Sequence, residues 1–173
     1  MAKVLIFGGA GCLGSHIVEH LISQGHSLEI VDNFSTGNIS FIASVMPEIK
    51  LHVCDLAADG VMDNIFENFL PDYVIFSAAS YDDPTNVTRD IEVNIYGLMN
   101  TVKLCKKYKV KKLINIQSTH FYGLIEKDRL VESDRGFPVG SYGISKGASE
   151  HFLMESGINY ISLRLATVLC ERL

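Results

Sequence analysis

Six short apolar runs punctuate the chain: KVLIF (3–7), SLEIV (27–31), KLHVC (50–54), YVIFSAA (73–79), KLINIQS (112–118) and YISLRLA (160–166). Each reads as a short strand buried on both faces, because apolar residues follow one another rather than alternating with polar ones. Helical spacing fills the gaps between them. Leu13, Ile17, Val18, Leu21 and Ile22 recur at intervals of three and four, and Ile91, Ile95, Leu98, Met99, Val102 and Cys105 share one face of a second helix. A third helix is expected over about 142–155, with Phe152 and Leu153 apolar, after a loop marked by Pro138 and the glycines between 136 and 143. Strand and helix alternate throughout, which predicts an α/β fold with a doubly wound parallel sheet. The chain shows no internal repeat, no low-complexity segment and no linker.

Between the first strand and the first helix lies the glycine-rich run FGGAGCLGS. Gly9, Gly11 and Gly14 make G-x-G-x-x-G, whereas Gly8, Gly11 and Gly14 make the wider G-x-x-G-x-x-G. Both patterns imply one glycine for the turn, one that lets the backbone approach a pyrophosphate, and one for close helix–strand packing. The phosphates would sit at the helix N-terminus, where unpaired N–H groups favour negative charge. Asp32 ends the second strand about 20 residues beyond the glycines, the place of an acid that accepts from ribose hydroxyls. Such an acid repels a 2′-phosphate, so NAD is favoured over NADP. The sheet is therefore expected to be of the Rossmann type, with ligands beyond the strands' carboxyl ends, where Asp32, Asp55, Leu56, residues 77–80 and residues 118–120 fall.

Composition narrows the partners. A chain of 173 residues, 47% of them hydrophobic, is sized for a single domain with one sizeable core. The net charge of -5 argues against nucleic acid, and the basic run 103–112 reads as the solvated end of a helix, where lysines complement the dipole. Cys12, Cys54, Cys105 and Cys170 lack metal-like or C-x-x-C spacing, which fits free thiols in a reducing compartment. His16 and His20 stand four apart without an evident third ligand, so a solvent-facing pair is expected and no metal site is predicted. No apolar run is long enough to span a bilayer, and a cytoplasmic location is expected.

YGISK places Tyr142 and Lys146 one helical turn apart on one face. A phenol near pKa 10 needs roughly 4 kcal/mol of differential stabilisation to act as a base at neutral pH. An ammonium about 5 Å away supplies on the order of 3 kcal/mol at an effective dielectric near 20, and an oxidised nicotinamide can add to it.

Taken together, FGGAGCLGS, VDNFSTGN, CDL, FSAAS, NIYGLMN, QSTHFYG and SYGISK resemble the extended short-chain dehydrogenase/reductase family, in its NAD-dependent epimerase/dehydratase branch, along the whole chain. The resemblance implies that Gly8, Gly11, Cys12, Leu13 and Gly14 hold the cofactor phosphates and that Asp32 and Asn33 lie at the ribose. It places Asp55 and Leu56 at the adenine and adds Ala78, Ala79 and Asn94 to the cofactor site. It makes Ser118, Tyr142 and Lys146 the catalytic residues. The implied chemistry is hydride transfer between a sugar hydroxyl carbon and NAD, with return of the hydride to the opposite face. Tyr142 would take the hydroxyl proton, Ser118 would bond the same oxygen, and Lys146 would hold the ribose and depress the tyrosine. The implied substrate is a nucleotide-diphosphate sugar, oxidised at C4, and the implied assembly a homodimer through helices near 94–107 and 142–155.

Departures from the family pattern refine this picture. Thr119 and His120 follow Ser118 where dehydratases carry an Asp-Glu pair, which disfavours dehydration and gives His120 a packing or loop role. Phe7 replaces a frequent threonine, a change expected to affect packing. Arg164 is present, but Thr167, Cys170 and Glu171 stand where Arg-x-x-Asn-x-x-Gly-Pro is usual. The family's C-terminal substrate domain is expected to be absent, leaving 1–173 as an NAD-binding domain of a longer enzyme. The alternatives are a dehydratase or simple oxidoreductase of the same family, and a non-catalytic NAD-binding regulator, which would lose the three catalytic residues retained here.

Overall fold

The computed structural model describes every residue except 57, 59, 125, 126, 170, 171 and 173. Six parallel strands form one sheet in the order β3-β2-β1-β4-β5-β6: β1 Lys3–Phe7, β2 Ser27–Asp32, β3 Ile49–Val53, β4 Tyr73–Phe76, β5 Lys112–Ser118 and β6 Tyr160–Leu165. This is the doubly wound order, with the chain reversing direction across the sheet between β1 and β4. Helices α1 (Cys12–Ser23), α2 (Val61–Phe69), α3 (Val87–Asp90), α4 (Leu98–Lys107) and α5 (Gly140–Met154) connect them, together with a 3₁₀ segment Ile39–Glu48.

Each central strand feeds two cores, which is why its sequence does not alternate. From β1, Val4 and Ile6 join Val18, Ile30, Ile42 and Val45 under α1 and the 3₁₀ segment. Leu5 and Phe7 face the opposite way and pack with Phe66, Phe76, Leu98 and Leu113 under the remaining helices. Phe7 is fully buried, 5.7 Å from the Phe76 ring and 6.4 Å from Phe66, so its role is packing, as expected. The strands at 73 and 160 end earlier than their apolar runs suggest, at Phe76 and Leu165, because the small residues beyond Phe76 turn toward the cavity described below.

One predicted helix is corrected. Residues 91–97 form a π-helical segment between α3 and α4, and the extra residue per turn rotates the apolar stripe. Ile91 is thereby exposed, while Asp90, Val93, Asn94, Gly97 and Leu98 are buried.

Candidate active site

The ends of β1–β5 and the first turns of α1 and α5 surround one cavity of about 910 Å³. Its walls include Gly8, Gly11, Asp32 and Asp55 at one end and Ser118, Tyr142 and Lys146 at the other, so the structure brings together residues dispersed over 139 positions of sequence from Gly8 to Lys146.

Of the two glycine patterns, the wider one faces the cavity. Gly8 has φ +75°, and a Cβ there would lie 2.7 Å from the Ala78 nitrogen. A Cβ on Gly14 would lie 2.0 Å from the Gly8 carbonyl oxygen, so α1 packs against the loop only with glycine at that position. Gly9 instead abuts the Ile30 side chain and takes no part in the wall. Gly11 caps α1 without a side-chain acceptor, leaving the first-turn N–H groups for an anion, and Cys12 and Leu13 lie on the wall beside it. Cys12 is disulfide-bonded, which corrects the expectation of four free thiols; the order of cysteines along a chain carries no information about which strand ends meet. Cys54 and Cys105 are free, and burial pushes the Cys105 thiol up to about 12. Cys170 and Glu171 lie outside the described residues.

Asp32 is nearly buried and fixed by the backbone: Oδ2 accepts from Ala10 N–H and Oδ1 from Phe34 N–H, both at 2.8 Å. A carboxylate has about four acceptor sites, so lone pairs remain for donors from a ligand on an acid that cannot turn away. Asn33 donates to Asp55 at 2.8 Å, and Arg89, from α3, closes over the same carboxylate at 2.5 Å. Leu56 and Ala78–79 complete this end of the wall. Asn94 sits behind it, 1% exposed, accepting from Ser80 N–H at 2.9 Å and donating to Ser80 O at 2.9 Å and Ser145 Oγ at 3.0 Å. Its reach into the cavity runs through Ser80, which lines it.

At the opposite end, Tyr142 and Lys146 lie on one face of α5, as their spacing predicts, and Ser118 ends β5 on the same cavity wall. Burial holds that phenol above its ordinary range, Ser118 pulls it back, and Tyr81 and Asp90 push it further up. The expected lowering by Lys146 is not realised among the protein groups. Lys146 is itself buried, which pushes its amine down to about 8, and Nζ donates to the Ile116 carbonyl at 2.7 Å. Two donors of the ammonium remain for a ribose.

Several residues here were not predicted. Gln117 donates to the Lys146 carbonyl at 2.8 Å and to Glu150 at 3.1 Å, and Glu150 pairs with Arg164 at 3.1 Å. Arg164 stacks on Phe121 at 3.8 Å and donates to the Tyr122 hydroxyl, so it braces α5 from β6. Glu150 stands one turn beyond Lys146, a spacing visible in sequence; its partner on β6 is not. His120, for which a packing or loop role was expected, lies in the turn after β5 and on the cavity wall, with Nδ1 2.9 Å from Ser118 Oγ and its ring edge-on to Tyr142 at 5.5 Å. His16 and His20 are both exposed.

The glycine cradle, the fixed acid of β2 and the long cavity fit a dinucleotide. A model of the NAD-dependent epimerase/dehydratase family matches residues 4–172. The UDP-glucose 4-epimerase of Halalkalibacterium halodurans is 31% identical over 168 residues, covering 93% of this chain and 49% of that protein. Among solved structures, the Bordetella bronchiseptica enzyme WbmG in complex with NAD and UDP superposes with a TM-score of 0.90 at 37% identity, over 94% of this chain and 52% of that one. WbmH from the same organism, in complex with NAD+, gives 0.93 at 32%, over 99% and 58%. The chain thus spans about half the length of the relatives it matches.

Proposed function

Because this chain belongs to the NAD-dependent epimerase/dehydratase family, we propose that it forms the cofactor-binding and proton-transferring part of a nucleotide-sugar 4-epimerase. The observation that carries the reading is the convergence of Ser118, Tyr142 and Lys146 in the same cavity as the glycine loop and Asp32. NAD, when bound, supplies a hydride acceptor and donor, and its oxidised nicotinamide brings positive charge to that end. Asp32 accepts from the adenosine ribose, and the N-terminus of α1 receives the pyrophosphate. Tyr142 takes the C4 hydroxyl proton and gives it back, Ser118 hydrogen-bonds the same oxygen, and Lys146 holds a ribose through the donors not engaged by Ile116. Desolvation keeps the phenol neutral, so a positive charge arriving beside it tips Tyr142 toward phenolate.

Thr119 and His120 offer no acid pair for eliminating water, which supports epimerisation over dehydration. A UDP-sugar is the substrate most consistent with the relatives, whose names specify UDP-glucose and UDP-arabinose. Exposed Val87, Ile91 and Tyr96 beside exposed Ile144 and Phe152 support pairing of two copies through the helices that bear them. Among the described residues, no helix is long and apolar enough to cross a membrane.

The test is incubation of a chain of its relatives' length that contains residues 1–173, since these residues alone are expected to epimerise little or not at all, with NAD and a panel of UDP- and GDP-sugars. Interconversion of a C4 pair with NAD left unconsumed is expected. Accumulation of NADH, or of a dehydrated keto sugar, overturns the reading in favour of an oxidoreductase or a dehydratase.

A further inference from the structure

Asn33, the chain neighbour of Asp32, donates to Asp55, so Asp55 stands one hydrogen bond beyond the acid assigned to the ribose. A base carried on that ribose reaches the part of the cavity wall made by Asn33, Asp55 and Leu56 from the sheet and by Arg89 and Val93 from α3 and the π segment. A free carboxylate there would select a base by accepting from its exocyclic amino group. The Asp55 carboxylate is already engaged. Oδ2 accepts from the Asn33 amide at 2.8 Å and from one terminal guanidinium nitrogen of Arg89 at 2.5 Å, and Oδ1 lies 3.4 Å from the other. Three of its roughly four acceptor positions are taken, and the arginine offsets its charge. Arg89 has donors to spare: two of its N–H groups reach Asp55 and one reaches Glu92 at 3.4 Å, which leaves two of the roughly five that a guanidinium carries.

We propose that Arg89 sets the base selectivity of the adenosine end: by occupying Asp55 and presenting its own donors beside it, it lets the site take a purine with oxygen at C6 as well as adenine. The inference rests on the reading of the cavity as an NAD site. The 6-amino group of adenine donates, whereas the 6-oxo group of hypoxanthine only accepts. An uncompensated Asp55 attracts the first and repels the second. A carboxylate filled with donors, next to a cation that can still donate, does neither. Arg89 is held in place for this part. Its backbone N–H donates to the Asn86 side chain at 3.1 Å, which caps α3, and its side chain is 28% exposed against 35% for Asp55, so the pair is partly shielded from solvent where it meets the cavity. Sequence spacing gives no sign of the pairing, because the two residues stand 34 positions apart.

The test is calorimetric titration of the chain with NAD and with nicotinamide hypoxanthine dinucleotide, which carries a 6-oxo purine in place of adenine and is otherwise the same molecule. The parent is expected to bind the two within about fivefold of each other. Arg89→Met keeps an apolar stem but removes the cation and its donors, and the preference for NAD is expected to rise at least about fivefold further, the scale of one hydrogen bond gained or lost at a charged group. A general loosening of α3 weakens both dinucleotides alike and leaves their ratio unchanged, so the ratio separates selectivity from mere support of the fold. Arg89→Ala repeats the comparison if methionine disturbs the helix. A parent that prefers NAD beyond the fivefold range, or a ratio that Arg89→Met does not raise, overturns the inference. Because the two ligands share the ribose, pyrophosphate and nicotinamide, either of those results leaves the NAD reading standing; failure of both ligands to bind overturns the reading and the inference together.

Discussion

The two ends of the cavity are held in different ways. At the adenosine end, Asp32 is fixed by two backbone N–H groups and Asp55 by Asn33 and Arg89, so charge and geometry are complete within the protein. At the catalytic end, Lys146 is buried and Tyr142 half-buried, and desolvation drives each toward its neutral form. One end is a preformed receptor. The other holds a neutral phenol beside a buried ammonium, and the phenol takes its working charge from what binds beside it. On the proposed function, the difference would put affinity for a dinucleotide in the strands β1–β3 and their loops, and reactivity in β5 and α5.

The separation is most sharply exposed by removing the phenol. Where the protein turns over a UDP-sugar, Tyr142→Phe is expected to lower turnover at least about a hundredfold while leaving NAD affinity nearly intact. Steady-state kinetics beside calorimetry checks both halves, and a parallel loss of NAD affinity would break the division.

A somewhat smaller effect concerns stability. The folded value for Lys146, about 8, lies below its ordinary 10.5, so between the two the unfolded chain binds more protons and stability rises with pH. Below about 8 the penalty of a buried ammonium is fully present. Lys146→Met removes it, and despite the lost bond to Ile116 it is expected to stabilise the fold at pH 7 by about 2 kcal/mol. The same variant loses the rise in stability above pH 8. Urea unfolding at pH 7 and pH 10 measures both; a variant weaker than the parent at pH 7 would mean that this end is also preformed.

The smallest expected effect lies at the other end. Asp32→Ala leaves the Ala10 and Phe34 amides without their acceptor and removes the charge that opposes a 2′-phosphate. The preference for NAD over NADP is expected to narrow by about tenfold, with little change in the ionisation of Tyr142. Equal affinities for NAD and NADP in the parent would remove the basis for the assignment.

What the sequence made legible follows the same line. The adenosine end is local: the glycine run, Asp32 and CDL each lie within a few residues of a strand end, and strand ends are set by apolar runs that feed both cores. Tyr142 and Lys146 were legible for the same reason, being one helical turn apart. The positions that escaped depend on contacts between distant elements. Arg89 reaches Asp55 across 34 positions, and Arg164 reaches Tyr122 across 42. The π segment escaped because the apolar residues of 91–105 fit an ordinary helical period, while the polar Asp90 and Asn94 are the ones turned inward. His120 is a different case. It was assigned a packing or loop role, since nothing in THF reveals that the 3₁₀ turn after β5 folds its ring back onto Ser118.

The direct test of a receptor divided in this way is calorimetric titration of the 173-residue chain with NAD, ADP-ribose and NADP. ADP-ribose carries the adenosine and pyrophosphate but lacks the nicotinamide. If the adenosine end supplies the affinity, ADP-ribose binds within about threefold of NAD and NADP binds at least about tenfold more weakly. Absent binding of ADP-ribose alongside clear binding of NAD would place the affinity at the catalytic end and contradict the account.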